Sequence, residues 1–313
     1  VIIVEANMQG PIGLWRTLPL PLRGLIRTLR PKQWTKNAFV FAALLFDHQL
    51  HHAEPFMRVA VAFVLMCMTA STVYLINDIA DIERDRLHPK KKLRAIPSGE
   101  LPIPLAVVTA IILPVLALGV ALSYSVPLAL VLFGYLVLQV AYSYYLKNIV
   151  LIDVFAIAAG FVLRVLAGVV VISVTNFSPW LYVCAGALSL FLAIGKRRQE
   201  LILLAASASD VRVTYKHYNL PLLDDMLRTV TTSSVLSYTL YTFEGKTNLA
   251  PNAMLLTVPF VVYGIFRYLY LIHVQGEGGA PDELLFKDKP LLASVVLWVV
   301  TVVAVLYALP LVH

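Results

Sequence analysis

The chain has 313 residues, of which 59% are hydrophobic and 14% charged, and a mean hydropathy of +0.80. A soluble globular domain carries about half apolar residues; here the excess comes in unbroken runs rather than a 3.6-residue pattern, which excludes a soluble fold and points to a bilayer. The formal charge of +7 lies between the apolar runs rather than on one tail, which argues against nucleic acid as a partner.

Residues 1–30 come first. Their apolar patch is short, contains Glu5 and runs into a proline- and arginine-bearing stretch from Pro19 to Arg30. They read as a cytoplasmic or interfacial arm rather than a cleaved leader. Residues 31–313 read as one transmembrane domain. A span needs about 20 apolar residues, and apolar segments fall at about 37–50, 57–76, 102–123, 127–146, 149–172, 179–197, 229–245, 251–272 and 290–311. Runs bounded by charge favour helices over barrel strands, which alternate with period two. The expected fold is therefore an all-α integral membrane protein of about nine transmembrane helices. Cys67 and Cys184 lie inside predicted spans and read as packing residues, with no disulfide framework.

Lysine and arginine predict the orientation. With the N-terminus inside, 21 of the 25 basic residues fall on one side, which predicts an N-in, C-out, multi-pass protein. The long, charged loops 77–101, 198–228 and 273–289 all fall on that side, so the working surface is expected to be cytoplasmic.

The strongest chemical signal is Asn77-Asp78-Ile79-Ala80-Asp81-Ile82-Glu83-Arg84-Asp85, directly after an apolar run. At about 100° per helical residue, Asn77, Asp78, Asp81 and Asp85 fall on one stripe. Clustered carboxylates repel unless a cation holds them, and a hard ion such as Mg²⁺, shared with substrate phosphates, suits oxygen ligands. The plain alternative is a solvated acidic helix end paired with Arg84 and Arg86. Downstream come Arg86, Lys90, Lys91, Lys92 and Arg94, then Pro97-Ser98-Gly99. Positive-inside topology accounts for the lysines, whereas Arg94, beside a small-residue turn, is the better phosphate ligand. Asp153, Arg164 and Arg267 lie within or near the hydrocarbon, where ionisable groups usually face the interior and act; a structural ion pair is the competing reading. Glu277, Asp282, Glu283 and Asp288 sit in a glycine-bearing loop that reads equally as a lid or a solvated segment.

The order Arg30-Pro31-Lys32-Gln33-Trp34-Thr35-Lys36-Asn37, then Asn77-Asp78-x-x-Asp81-x-x-x-Asp85, then Tyr142-Ser143-x-x-Leu146-Lys147 resembles the UbiA superfamily of intramembrane prenyltransferases. The resemblance implies about nine helices around a central cavity capped by cytoplasmic loops, with Mg²⁺ bound by two aspartate-rich motifs. Here the second motif is missing: Gly195-Lys196-Arg197-Arg198-Gln199-Glu200 stands in its place. A cationic cluster there favours direct binding of an anion. With Lys147-x5-Asp153, Gly160-Phe161-x-x-Arg164 and Gly276-Glu277-Gly278-Gly279, the chain resembles the decaprenyl-phosphate phosphoribosyltransferase branch. That implies a plasma-membrane enzyme of cell-wall biosynthesis moving 5-phosphoribose from phosphoribosyl diphosphate to a polyprenyl phosphate. By the same resemblance Asn77, Asp78, Asp81 and Asp85 hold Mg²⁺ and the diphosphate, and Arg94, Lys147, Tyr142, Asp153 and Arg164 line the site. Lys32 and Lys36, or Lys196, Arg197 and Arg198, hold the lipid phosphate. Prenyl transfer to an aromatic acceptor is the runner-up, a transporter the third reading, and a homo-oligomer stays open.

Overall fold

A computed structural model of the chain describes residues 18–87, 91–174, 178–204, 213–244, 252–277 and 281–307. Its elements are all helical, and among the described residues there is no strand. Helix α1 (Leu20–Leu29) ends where Arg30 adopts a left-handed backbone (φ 52°) and Pro31, with no N–H to give, follows. The apolar face of α1, Leu25 and Leu29, packs onto Leu75, Ala95, Ile96 and Leu101, while Leu20 and Leu22 on its other side stay exposed. A 3₁₀ segment, Pro31–Phe41, then leads into the short α2 (Ala42–Phe46).

The long helices follow as α3 (Ala53–Ala80), α5 (Ile103–Tyr124), α6 (Val126–Tyr144), α7 (Ile152–Val169), α8 (Pro179–Leu204), α9 (Leu220–Glu244), α10 (Val258–His273) and α12 (Lys289–Tyr307). Short helices α4 (Ile82–Leu87) and α11 (Pro281–Lys287) lie between them. Chain reversals follow local chemistry. Ser125 accepts a hydrogen bond from the Leu128 backbone N–H and so caps α6, with Pro127 in its first turn. Buried hydroxyls within the spans bond to their own helix: Thr69 donates to the carbonyl of Leu65 and Thr72 to that of Met68, as a medium without water demands.

Two cores fill the bundle. One joins Val40, Ala43 and Leu44 of the first segment to α3, α5, α6 and the end of α7. The other joins Val154 of α7 to α8, α9, α10 and Leu291 of α12. Ile111, Ile112, Val115, Leu116, Leu130 and Phe133 on α5 and α6 are exposed, the expected state of a lipid-facing surface.

Among the described residues, seven helices are long and apolar enough to cross a bilayer: α3, α5, α6, α7, α8, the segment Ala253–His273 containing α10, and α12. The chain is a multi-pass membrane protein, but the expected count of nine is not reached on this criterion. The first expected span is too short as a regular helix, because its proline-led half is 3₁₀. The 229–245 span lies in α9, whose middle carries seven serines and threonines between Thr229 and Thr239. Several of their hydroxyls donate to the carbonyl four residues back, among them Thr229, Thr232, Ser233 and Ser234, so most are satisfied within α9 while its hydropathy falls; the buried Thr231 hydroxyl makes no hydrogen bond.

Candidate active site

The basic ends of the helices carry the acidic stretch. Helix α3 stops at Ala80, Asp81 leaves helical geometry (φ −98°, ψ 8°), and α4 resumes at Ile82. The backbone bonds Asp81 N to Asn77 O (3.0 Å) and Asp85 N to Asp81 O (2.8 Å) keep the path nearly helical. Seven residues make about two turns, so Asp78 and Asp85 share one inward face and are buried, Asp85 completely. Asp81, at the break, is about one-third exposed and pairs with Arg84 at 3.5 Å. Asn77 is half-buried beside Asp78.

Arg94 joins the two buried carboxylates: its Nη1 donates to Asp78 Oδ1 (3.1 Å) and to Asp85 Oδ2 (2.6 Å). Arg30 Nη2 donates to the same Asp78 oxygen at 2.7 Å, its guanidinium lying over the Tyr74 ring at 4.9 Å. The other Asp85 oxygen, Oδ1, makes no hydrogen bond and has Lys91 Nζ at 3.8 Å. A cavity of about 170 Å³ opens here, lined by Arg27, Thr28, Arg30, Asp78, Arg94 and Ala95. Arg27 reaches it while pairing with Glu100 and donating to the Leu93 carbonyl at 3.1 Å. The expected stripe of three carboxylates is thus two carboxylates facing arginine, and among the described residues no group of three metal-ligating side chains forms. Arg27 and Arg30 were not expected as site residues: Arg27 looks like a topology-setting cation, while Arg30 opens the Arg30-Pro31-Lys32 run that carries the resemblance, the signal that could have marked it.

The second expected phosphate site is built differently. Arg197 is 2% exposed and spends its donors inside the protein: Nε on Asp153 (2.9 Å), Nη1 on Glu200 (2.6 Å) and Nη2 on the Tyr142 hydroxyl (2.8 Å). Arg198 is held by Asp224 at 2.6 Å and by the Ile272 carbonyl. Lys196 alone of the three is well exposed, with Glu200 at 3.9 Å. The cationic cluster read as an anion site is therefore mostly an internal ion-pair network, neutralised by the buried Asp153 and the partly buried Glu200 and Asp224. Asp153 and Tyr142 are members of that network. Tyr218 belongs to it too: its hydroxyl donates to Asp153 Oδ1 at 2.7 Å. Burial, with that bond, holds the Tyr218 phenol well above its ordinary pKa, fixing it as a neutral donor.

Arg164 is also corrected. It donates to Asn37 Oδ1, the Gly160 carbonyl and the Tyr135 hydroxyl, each at 2.8 Å, with the rings of Tyr135 and Phe161 at 4.9 and 5.0 Å. It ties the 3₁₀ segment to α6 and α7. Arg267 pairs with Asp288 at 2.8 Å, so Asp288 is a helix-end partner rather than a lid residue. Lys147 is half-buried in the turn between α6 and α7, Lys32 is exposed and Lys36 half-buried. Lys90 falls outside the described residues, and so do the side chains of Asp282 and Glu283.

A buried pair of hard oxygen donors, one with an unshared oxygen, fits a divalent ion of the Mg²⁺ kind, which takes one or two carboxylates and fills its remaining positions with water and phosphate.

Comparison with known proteins places this geometry. The family model described as "UbiA prenyltransferase family" matches residues 37–287. The decaprenyl-phosphate phosphoribosyltransferase of Corynebacterium glutamicum is 36% identical over 92% of this chain and 88% of its own. The protein of that name from Mycobacterium tuberculosis is 32% identical over 89% and 93%. Among solved structures, a UbiA homolog from Archaeoglobus fulgidus bound to GPP and Mg²⁺ superposes with a TM-score of 0.68 at 18% identity, covering 90% of this chain and 99% of that one. A digeranylgeranylglyceryl phosphate synthase gives a TM-score of 0.66 at 17% identity, covering 92% and 99%. With the fold shared across those structures and the family match spanning most of its length, this chain belongs to the UbiA prenyltransferase family.

Proposed function

We propose that the protein transfers 5-phosphoribose from 5-phosphoribosyl 1-diphosphate to a polyprenyl phosphate of the decaprenyl type, releasing diphosphate. The observation that carries this reading is the cavity beside Asp78, lined by three guanidinium groups. A prenyl diphosphate offers one charged end and a hydrocarbon tail, whereas a phosphosugar diphosphate is charged at both ends. The relatives' name, decaprenyl-phosphate phosphoribosyltransferase, supports the lipid acceptor and the transferred group.

Asp78, Asp85, Asn77 and, after a turn of its side chain, Asp81 would hold Mg²⁺. The ion, when bound, would stabilise the leaving diphosphate as the C1–O bond breaks. Arg94 and Arg30 then neutralise phosphate oxygens, and Lys147 adds charge at the same end. The acceptor phosphate attacks C1 and is already anionic at neutral pH, so no side chain need act as a strong general base. Lys32 and Lys36 hold that phosphate at the start of the 3₁₀ segment, with Lys196 the remaining exposed cation of the other set. The basic end faces the cytoplasm by the positive-inside rule, in a plasma membrane.

The test uses the full chain in detergent with Mg²⁺, labelled phosphoribosyl diphosphate and decaprenyl phosphate, against geranyl diphosphate with an aromatic acceptor. Label in the lipid fraction from the first pair, and none from the second, is expected. Absence of labelled lipid would sink the reading.

A further inference from the structure

The outer side of α10 carries a charged pair at a depth where lipid tails would meet it. Arg267 stands six residues before the end of the helix at His273. At 1.5 Å per residue that is about 9 Å along the axis, inside a hydrocarbon leaflet of about 15 Å. Its Nε and Nη2 donate to Asp288 Oδ1 and Oδ2 at 3.1 and 2.8 Å, while its Nη1 has no partner among the described residues. The side chain stays 25% exposed, so the pair is not closed off by protein. Tyr263, Phe266 and Tyr270 follow one another at i, i+3 and i+7 on the same helix, and all three are exposed. The Tyr270 ring lies 5.0 Å from the guanidinium. Phe286, two residues before Asp288, is exposed as well.

The charges here do not cancel. Lys289 follows Asp288 at the first position of α12, exposed and without an ion pair among the described residues. Lys287 is taken by Glu277. Two cations, Arg267 and Lys289, thus stand against the single carboxylate of Asp288. Charge facing hydrocarbon is costly, but a long arginine side chain reaches the headgroup layer from a Cα placed below it. Exposed aromatic rings favour that same boundary. A zwitterionic headgroup brings its own cation and leaves the excess unmet. An anionic phosphodiester supplies the missing acceptor, and its acyl chains supply a cover for the rings.

We propose that the surface formed by α10 and the junction of α11 with α12 binds an anionic phospholipid of the leaflet at the basic end. Its phosphodiester sits on Arg267 Nη1 and Lys289, and its acyl chains lie along Tyr263 and Phe266. None of these residues belongs to the set assigned to donor or acceptor, so the inference stands whichever group the enzyme transfers. The acceptor is itself a lipid phosphate, and the measurement has to tell the two apart.

Native mass spectrometry of the full chain, released from micelles, counts bound lipid without turnover. The probes are dioleoyl phosphatidylglycerol, dioleoyl phosphatidylcholine and farnesyl phosphate. Phosphatidylglycerol is expected to remain bound at about tenfold lower concentration than phosphatidylcholine. Arg267→Gln combined with Asp288→Asn removes both charges together, so neither is left unpaired. That double variant should weaken phosphatidylglycerol about fivefold, the weight of one cation near a lipid surface, and Lys289→Gln by a similar factor. Farnesyl phosphate should move under twofold in both. Arg228→Gln, at an exposed cation of α9, should also change phosphatidylglycerol by under twofold. Equal retention of the two phospholipids would overturn the proposal, and so would unchanged phosphatidylglycerol in both variants at this surface. An equal loss in Arg228→Gln would reduce the effect to diffuse charge and overturn it too. A parallel loss of farnesyl phosphate would make this the acceptor's surface instead. A fall in the mass of an oligomer, with lipid count unchanged, would make it a contact between copies of the chain; either result strikes the assignment.

Discussion

Asp85 differs from every other acidic residue in the stretch, because it is fully buried yet keeps one oxygen without a hydrogen bond. Arg94 holds its other oxygen at 2.6 Å, so the carboxylate is positioned before any ligand arrives. Asp85→Asn keeps the shape, removes the charge and should lower kcat by about 100-fold or more, the usual cost of losing one preorganised electrostatic group. A kcat within fivefold of the unmodified protein in the lipid-labelling assay would remove Asp85 from the site. Arg197 predicts the opposite pattern. Its replacement by Met leaves the buried Asp153 without its cation, which costs about 3–5 kcal/mol for a broken buried pair. Thermal unfolding in detergent should fall sharply for Arg197→Met, whereas Asp85→Asn melts close to the unmodified chain. At this scale the aspartates were legible, because carboxylates clustered directly after an apolar run repel one another unless cations are brought to them. The arginines were not. An arginine's partners are often distant in sequence: Asp153 lies 44 residues from Arg197, and the neutral amide of Asn37 lies 127 from Arg164, so charge alone could not tell an anion site from an internal network.

Elements meet closely at two glycines. A Cβ at Gly24 of α1 would stand 3.0 Å from the backbone of Glu100 and Leu101, so α1 rests directly on the loop that carries Arg94. Gly24→Ala should push α1 away from that loop and weaken the donor's apparent affinity while leaving acceptor affinity alone, measured as separate KM values. Gly168 of α7 is stricter. Its added Cβ would fall 1.9 Å from the Val40 carbonyl oxygen, inside any allowed contact and against backbone that cannot rotate away. Gly168→Ala should therefore cost more than about 3 kcal/mol and be seen as lost yield of folded protein in size-exclusion chromatography. Helix positions followed well from apolar runs, since α5, α6, α7 and α12 begin and end near the expected limits. The short helices α4 and α11 did not, because segments of that length carry no usable period, whereas the amphipathic α1 falls within the expected interfacial arm.

For the molecule as a whole, the pairing of Arg267 with Asp288 gives a pH signature. The Arg267 hydrogen bond holds the Asp288 carboxyl below its ordinary value. A depressed folded-state pKa contributes stability above the ordinary carboxylate range and loses it as pH falls through the folded value. Asn at 288 keeps a side-chain oxygen for the Leu291 N–H that Asp288 Oδ1 now accepts, so Asp288→Asn removes the charge but not the cap. Its melting temperature should fall at pH 7 and match the unmodified protein at the acid end of the curve. Membrane class, helical fold and family were all readable from the sequence, since apolar runs and a spaced aspartate motif survive without any contact information. The number of spans is not confirmed, because the first segment is partly 3₁₀ and the serines and threonines of α9 lower its hydropathy below that of the seven apolar helices.

The 3₁₀ segment Pro31–Phe41 and α2 together use 16 residues. At about 2.0 Å per 3₁₀ residue and 1.5 Å per α residue they extend about 29 Å, close to the hydrocarbon thickness of about 30 Å. Such a stretch is economical in length but holds poorly by itself, since long 3₁₀ runs are weak and Asn37 is costly in lipid. Its amide group meets Cys67 of α3, but its oxygen is met by Arg164 only after α7 has been made. Biogenesis of this end of the protein should then be deferred: a nascent chain halted before α7 would leave a cysteine placed at Val40, fully buried in the fold, open to a water-soluble maleimide, and release of the finished chain would close it.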